Sequence, residues 1–328
     1  MSNKWTQNDI PNLTGKVVII TGANSGLGLE STKAIAAKGA TVVMACRNLN
    51  KAEEAKAEVI QTVPKAKLDV MQLDNASLAS VHEFAAAFKA KYDRLDILLN
   101  NAGVMAIPYS LTEDGFETQL GVNHLAHFAL TGLLLDVLLK TPNSRVHSTS
   151  SSAAFTGSIN LDDLMGEENY GRWSAYGQSK LANAAFATEL DKRLKTAGHN
   201  TIANSSHPGI VMTNLQSNSL EMSDAPFFER ITYRIIGPLV AQDIEMGVLP
   251  QLYAATAPQA QGGAFYGPRL LRMRGYPAEQ HCNDALNDDE LLRQFWEVSE
   301  QLTDVTYNFA KTAVADPVSG ASYSKVTK

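Results

Sequence analysis

Only two cysteines occur in the 328 residues, Cys46 and Cys282, and they lie far apart. That leaves no disulfide framework and no zinc-ligand spacing, and it suits a reducing compartment. Long apolar runs are missing too. The greasiest stretch, 125–139, is interrupted by His127 and Asp136 and is too short to cross a bilayer. The first ten residues are polar and hold no apolar signal core, so the expectation is a cytoplasmic protein without a membrane anchor. Positive charge is scarce: the net charge is -6 and basic residues do not cluster. Nucleic acid and anionic membrane surfaces are therefore not expected partners. His82, His124, His127, His199, His207 and His281 show no ligand spacing. They are read as packing or interface residues, and no metal is expected. No internal repeat and no Pro- or Ser-rich linker divides the chain. Residues 1–328 are read as one domain, with 45% hydrophobic residues to build its core.

What is present is a regular alternation. Continuous apolar, β-branched runs at 16–20 and 41–45 read as strands buried on both faces. Further strands are expected at 68–73, 95–99, 145–150, 201–205 and 263–266. Helices are expected at about 50–62, 77–91, 117–139 and 174–196, and one follows the glycines near residue 26. Strand–helix alternation without a long hairpin signal predicts an α/β fold. It is a doubly wound, Rossmann-type parallel sheet of about seven strands with helices on both faces. Two segments break the rhythm. Residues 152–172 are long for a connection, and 215–240 carry apolar residues between Pro226 and Pro238, which reads as a substrate-lobe insertion. The polar end, 305–328, is expected to be a flexible tail.

Three motifs carry chemistry. Gly22, Gly26 and Gly28 stand between the first buried strand and its helix. Glycines there allow a tight turn and let the backbone approach a pyrophosphate at a helix N-terminus. At the end of the second strand comes Ala45-Cys46-Arg47-Asn48. An acid in the Cys46 place would bind ribose hydroxyls. Arg47 can instead pair with a 2′-phosphate, so NADP(H) is favoured over NAD(H). Asp74, ending the third strand, is placed to reach an adenine ring. The third motif is Ser174-Ala175-Tyr176-Gly177-Gln178-Ser179-Lys180. On a helix, Tyr176 and Lys180 share a face, and an ammonium one turn away lowers a phenol's pKa toward a range useful for proton transfer.

Together these motifs, with Asn100-Asn101-Ala102-Gly103, resemble the short-chain dehydrogenase/reductase family. The three-residue gap between Gly22 and Gly26 is unlike its extended epimerase branch. Ala45-Cys46-Arg47-Asn48, Ser179-Lys180-Leu181-Ala182-Asn183 and His207-Pro208-Gly209 with Thr213 resemble its retinol dehydrogenase-like subgroup, here without an N-terminal apolar anchor. The resemblance covers about 14–303. It implies interconversion of an alcohol and a hydrophobic carbonyl compound, with Tyr176 as the proton donor or acceptor. Lys180 would hold the nicotinamide ribose. Asn123 would hold a water of the proton relay. Ser151 would bond the substrate oxygen, Ser150 being the second choice among Ser148, Ser150, Ser151 and Ser152.

The same resemblance runs the cofactor past Gly22, Asn24, Ser25, Gly26, Leu27 and Gly28, then Arg47 and Asn48, then Asp74 and Asn75. It continues past Asn101, Ala102 and Gly103 to Tyr176, Lys180, Pro208, Gly209, Val211 and Thr213. A homodimer or a monomer is implied: family members pair through the helices here at 117–139 and 174–196, and the extra C-terminal length would block one such face. Two features depart from the pattern. His147 and Ser148 make the fifth strand unusually polar, and the Ala-Cys-Arg signature and some of the helix pattern are shared with protochlorophyllide reductases, whose Thr-Gly-Asn-Thr-rich segment after the serine and cysteine near the substrate lobe are not seen here. A non-catalytic NADP(H) sensor and a protochlorophyllide reductase-like enzyme are the alternative readings. Arg47→Asp is expected to move the ratio of kcat/KM for NADPH and NADH toward NADH, and an unchanged ratio would remove the phosphate clamp.

Overall fold

The computed structural model describes residues 4–211 and 241–310. Eight strands form one sheet in the order β3-β2-β1-β4-β5-β6-β7-β8. The strands are β1 (Val17–Thr21), β2 (Thr41–Cys46), β3 (Lys67–Gln72), β4 (Ile97–Asn100), β5 (Arg145–Thr149), β6 (Ile202–Ser206), β7 (Phe265–Leu270) and β8 (Arg274–Glu279). Neighbours pair in parallel from β3 through β7, and β8 turns back antiparallel on β7. The expected count of seven is thus one short. The missed strand follows a turn in which Leu271 and Arg272 adopt left-handed φ angles of 53° and 59°. No glycine marks the tip of that turn, so the usual hairpin signal is absent from the sequence.

Helices cover both faces. The elements that position the site are α1 (Gly26–Ala37), α2 (Leu49–Thr62), α3 (Leu78–Lys91) and α4 (Thr118–Leu120). They are followed by α5 (Ala126–Leu133), α6 (Leu135–Lys140), α7 (Arg172–Thr196), α8 (Ile244–Gly247), α9 (Leu249–Thr256) and α10 (Asp289–Thr303). One apolar cluster joins the sheet to α3, α5 and α7 through Ile19, Leu98, Phe128 and Phe186; a second joins it to α1 and α9 through Ile20, Leu99, Ile35 and Leu252. The two faces of β1 are thereby both dry, as its unbroken Val-Val-Ile-Ile run requires.

The helix expected over 117–139 is four pieces: α4, a π-helical turn, α5 and α6. A π-helical turn spans Gly121–Leu125, where the Ala126 N–H donates to the Gly121 carbonyl. Leu134 then leaves helical geometry at φ -101°, ψ 3°. The polar fifth strand is accommodated by its neighbour. His147 Nδ1 lies 2.8 Å from Asn204 Oδ1 and its Nε2 lies 3.0 Å from Ser206 Oγ, so β5 and β6 satisfy each other's buried polar groups.

The C-terminal stretch packs against the helices expected to pair copies of the chain. Trp296 of α10 lies with Phe128 of α5 at 5.0 Å between ring centroids, and the Arg193 guanidinium of α7 sits 4.4 Å over its ring. Tyr307 follows α10 and donates its hydroxyl to the Phe128 carbonyl at 2.6 Å. The flexible tail expected from residue 305 is therefore corrected for 305–310, where Val305 and Tyr307 are buried against this cluster. The remaining 311–328, and the expected lobe insertion at 215–240, lie outside the described residues. Trp296 is 2% exposed. Trp296→Ala is expected to lower the unfolding free energy in urea by about 3–5 kcal/mol, and a loss near zero would show that α10 contributes little.

Candidate active site

The parallel strands end on one edge of the sheet, and the chain leaves β1 for β2 on one side while β4 lies on the other. Such a switch point opens a crevice at the strands' carboxyl ends. Here it is a cavity of about 1500 Å³. Thr21, the last residue of β1, is buried beneath it and braces the Asn101 and Ala102 that line it. The Thr21 hydroxyl oxygen accepts the N–H groups of Asn101 and Ala102, each at 2.9 Å, and Asn101 Nδ2 donates to the Thr21 carbonyl at 2.8 Å. The glycine turn follows. Gly22 and Gly26 have left-handed φ angles of 65° and 54°. A Cβ on Gly28 would run into the Gly22 carbonyl, so α1 can approach β1 this closely only with glycine there. Ser25 gives α1 no side-chain cap. The first-turn N–H groups at Gly26 and Leu27, which line the cavity, are thus left for an anionic group. That observation makes the site fit a dinucleotide phosphate.

The wall beyond the turn holds cations. Cys46 is buried and its thiol meets the N–H groups of Ala23 and Asn24; burial pushes it up to about 11. Its sulfur therefore braces the turn. Arg47 and Asn48 line the cavity, and Asn48 Oδ1 caps α2 by accepting from the Lys51 N–H at 3.0 Å. Lys51 also lines the cavity and was missed in the sequence. Its signal was the four-residue spacing from Arg47 across a helix start. Among the described residues neither Arg47 nor Lys51 has an acidic partner. Asp74 and Asn75 form the next part of the wall, with Asp74 Oδ1 accepting from the Ala76 N–H at 3.0 Å.

Tyr176 and Lys180 lie one turn apart on α7, the ammonium nitrogen 5.9 Å from the phenol ring centroid. Both are buried and both line the cavity. The serines separate by geometry. Ser150 donates its hydroxyl to the Lys180 carbonyl at 2.6 Å, whereas the Ser151 hydroxyl, which lines the cavity with Tyr176, favours the ionised phenol. Asn123 stands in the π-helical turn behind this pair. It accepts from the Val104 N–H at 2.7 Å and donates to the Val104 carbonyl and to Ser179 Oγ, each at 2.9 Å. A Cβ on Gly103 would lie 2.8 Å from Asn123 Oδ1 and 3.1 Å from Lys180 Nζ, which accounts for the glycine of Asn101-Ala102-Gly103.

In the chain by itself burial bears on both members of the Tyr176–Lys180 pair. Burial pushes the phenol up to about 12, opposed by the Ser151 hydrogen bond, and burial pushes Lys180 down to about 8. The ammonium donates to the Thr149 carbonyl at 3.2 Å rather than to the phenol, and desolvation disfavours the charged form of each group.

Other residues escaped the sequence reading because they act from behind the cavity wall. Gln251 of α9 accepts from the Thr149 hydroxyl at 2.7 Å and donates to Ser31 Oγ at 2.9 Å and Asn101 Oδ1 at 3.3 Å. Asn183 donates to the same Thr149 carbonyl that holds Lys180. The long 152–172 connection is pinned by Tyr170, which receives a hydrogen bond from Gln119 Nε2 and donates to the Ile107 carbonyl, each at 2.9 Å. Pro208, Gly209 and Val211 line the far end of the cavity, beside Trp173. Thr213 lies outside the described residues. Among the described residues no three His, Cys, Asp or Glu side chains converge as metal ligands, and no helix is long and apolar enough to cross a membrane.

The family model described as short chain dehydrogenase matches residues 16–224. The chain belongs to the short chain dehydrogenase family. Within that family it falls in the retinol dehydrogenase-like subgroup. Mouse retinol dehydrogenase 14 is 37% identical over 303 residues, covering 89% of this chain and 86% of that protein. Human retinol dehydrogenase 12 is 43% identical over 245 residues, covering 75% of this chain and 74% of that one. Among solved structures, an uncharacterized protein from Mycobacterium paratuberculosis is 37% identical, with a TM-score of 0.77 over 93% of this chain and all of that one. A Shigella flexneri short chain dehydrogenase complexed with NADP shares the fold at 22% identity, with a TM-score of 0.59 over 77% of this chain and 97% of that one. The short chain dehydrogenases are oxidoreductases that bind a nicotinamide cofactor and act on small molecules.

The buried lysine of this dehydrogenase leaves a signature in its stability. Lys180 binds its proton less tightly when folded than when unfolded. Between about pH 8 and the ordinary lysine value of about 10.4, the unfolded chain holds more protons. Stability therefore rises with pH across that window. Lys180→Met is expected to flatten this rise in urea midpoints and to be more stable than the parent at pH 7. An unaltered pH dependence would mean that the ammonium is not desolvated.

Proposed function

We propose that the chain is an NADP(H)-dependent enzyme that interconverts an alcohol and a carbonyl on a hydrophobic small molecule, with Tyr176 moving the proton. The observation that carries this reading is the buried Tyr176 phenol, which lines one cavity with Ser151 and with Lys180 one turn away. The bound nicotinamide would supply or receive the hydride; the chain's part is orientation and proton handling. A phenol held near 12 keeps its proton at neutral pH, which suits delivery to a carbonyl oxygen during reduction. Ser151 would hold that oxygen beside the phenol. Lys180 would steady the ribose next to the nicotinamide, and Asn123, behind Gly103, would keep the relay in place.

Arg47 and Lys51 support NADP(H) over NAD(H), since both line the cavity and neither is ion-paired among the described residues, although Glu54 and Glu58 line it too. A guanidinium and an ammonium there match a 2′-phosphate, and the acid that would repel one is replaced by buried Cys46. Relatives named retinol dehydrogenases support a hydrophobic alcohol or carbonyl as substrate. Two free, buried thiols fit a reducing, cytoplasmic setting.

Decanal and retinal serve as probe carbonyls. Tyr176→Phe is expected to lower kcat by at least about 10²-fold while leaving NADPH affinity, read by nicotinamide fluorescence, unchanged. Turnover that survives the change would remove Tyr176 as the proton donor. NADPH binding without turnover of any carbonyl by the parent chain would favour a sensor.

A further inference from the structure

His127 stands in the first turn of α5, 2% exposed, and was read from the sequence as packing. Its ring touches three separate parts of the site. Nε2 lies 2.9 Å from the Thr21 hydroxyl and 3.0 Å from Asn75 Nδ2; Nδ1 lies 2.9 Å from the Asn123 carbonyl oxygen. The surroundings fix which nitrogen holds the proton. Thr21 Oγ1 already accepts from Asn101 and Ala102, so what it has left to give is its own hydroxyl hydrogen. Asn75 Nδ2 is also a donor. Nε2 must then be the acceptor, and Nδ1 carries the hydrogen that goes to the Asn123 carbonyl. Burial holds the ring neutral, at about 4, with the Lys180 charge acting in the same direction.

The two ring nitrogens therefore face the two halves of the cavity. Nε2 secures Asn75 and, through Thr21, the Asn101-Ala102 backbone, all of which line the cofactor wall. Nδ1 secures Asn123, whose side chain holds the backbone of Val104 beside Gly103 and Lys180. We propose that His127 is a positioning residue: its neutral Nδ1–H imidazole sets the register between the cofactor wall and the proton-transfer residues, so that both halves are aligned by one rigid ring. This rests on the proposed function for its kinetic consequences, though not for the ring's hydrogen bonds.

The two roles separate by substitution. The amide of asparagine sits where Nδ1 sits, and the longer glutamine places its amide near Nε2. His127→Asn keeps a donor for the Asn123 carbonyl and loses the acceptor for Thr21 and Asn75. It is expected to weaken NADPH binding about tenfold with kcat nearly retained. His127→Gln keeps the acceptor and loses the donor. It is expected to lower kcat about tenfold with NADPH affinity nearly retained. His127→Phe should lose both.

Long-range ¹H–¹⁵N correlation on the chain without cofactor reads the tautomer directly, with Nδ1–H expected and no titration down to pH 5. An Nε2–H ring, or one that titrates near pH 6.5, would overturn the assignment. So would Asn and Gln variants that lose affinity and kcat in equal proportion, the mark of general loosening, or that lose neither. That pair of kinetic results would leave the proposed function standing, because the parent would still bind NADPH and turn over. A parent chain that binds no NADPH would remove the proposed function and the positioning role together.

Discussion

The hydroxyl of Thr21 joins the ends of β1 and β4, and most of the site depends on that junction. One oxygen takes two backbone N–H groups of the Asn101-Ala102 segment and lies 2.9 Å from His127 Nε2. All these groups are buried or half-buried, so each would carry a desolvation cost if left unpaired. Around the junction the backbone is too close for side chains. Gly28 abuts the Gly22 carbonyl, and Asn101 Nδ2 reaches back to the Thr21 carbonyl. The glycine turn, the loop after β4 and the π-helical turn bearing Asn123 are thus held as one unit.

Burial sets the ionisation of the pair on α7. Burial tightens the phenol's hold on its proton and loosens the lysine's, which at about 8 is still charged at neutral pH. The Thr149 carbonyl takes the ammonium, and Gln251 and Asn183 hold Thr149 in turn. The chain by itself therefore keeps the Tyr176 phenol protonated at neutral pH. A buried histidine ring that is neutral for the same reason offers fixed hydrogen-bond directions, whereas a ring that titrated near neutral pH would change its donors and acceptors with every protonation.

The C-terminal region adds a second constraint, apart from the chemistry. Phe128, Phe186, Trp296 and Tyr307 interlock aromatic rings from α5, α7, α10 and the segment after it. Their packing covers helix faces that carry apolar residues, as a partner chain would, and it does so within one chain. The Arg193 guanidinium over Trp296 lets a charged side chain complete the apolar contact while staying near water.

Much of this was legible in the linear chain. Val-Val-Ile-Ile before a glycine turn, Arg47 in place after β2 and Tyr176 one turn from Lys180 depend on spacing within ten residues, and local geometry follows from local spacing. The doubly wound sheet followed from the alternation of strands and helices for the same reason. The eighth strand was hidden because its turn uses leucine and arginine in left-handed geometry, so no turn residue announced it. Ser150 and Ser151 could not be separated, since adjacent hydroxyls differ only in which way the strand end points them. Lys51, Gln251, Asn183 and His127 were invisible as site residues because what defines them is a partner 30 to 220 positions away or a shared cavity. The composition and the short motifs determined the sheet, the glycine turn and the Tyr–Lys pair. Only the tertiary structure decided which serine turns to the Lys180 carbonyl, that burial bears on both members of the Tyr–Lys pair, and that one histidine ring touches Thr21, Asn75 and Asn123, because hydrogen-bond direction and desolvation exist only once distant segments meet.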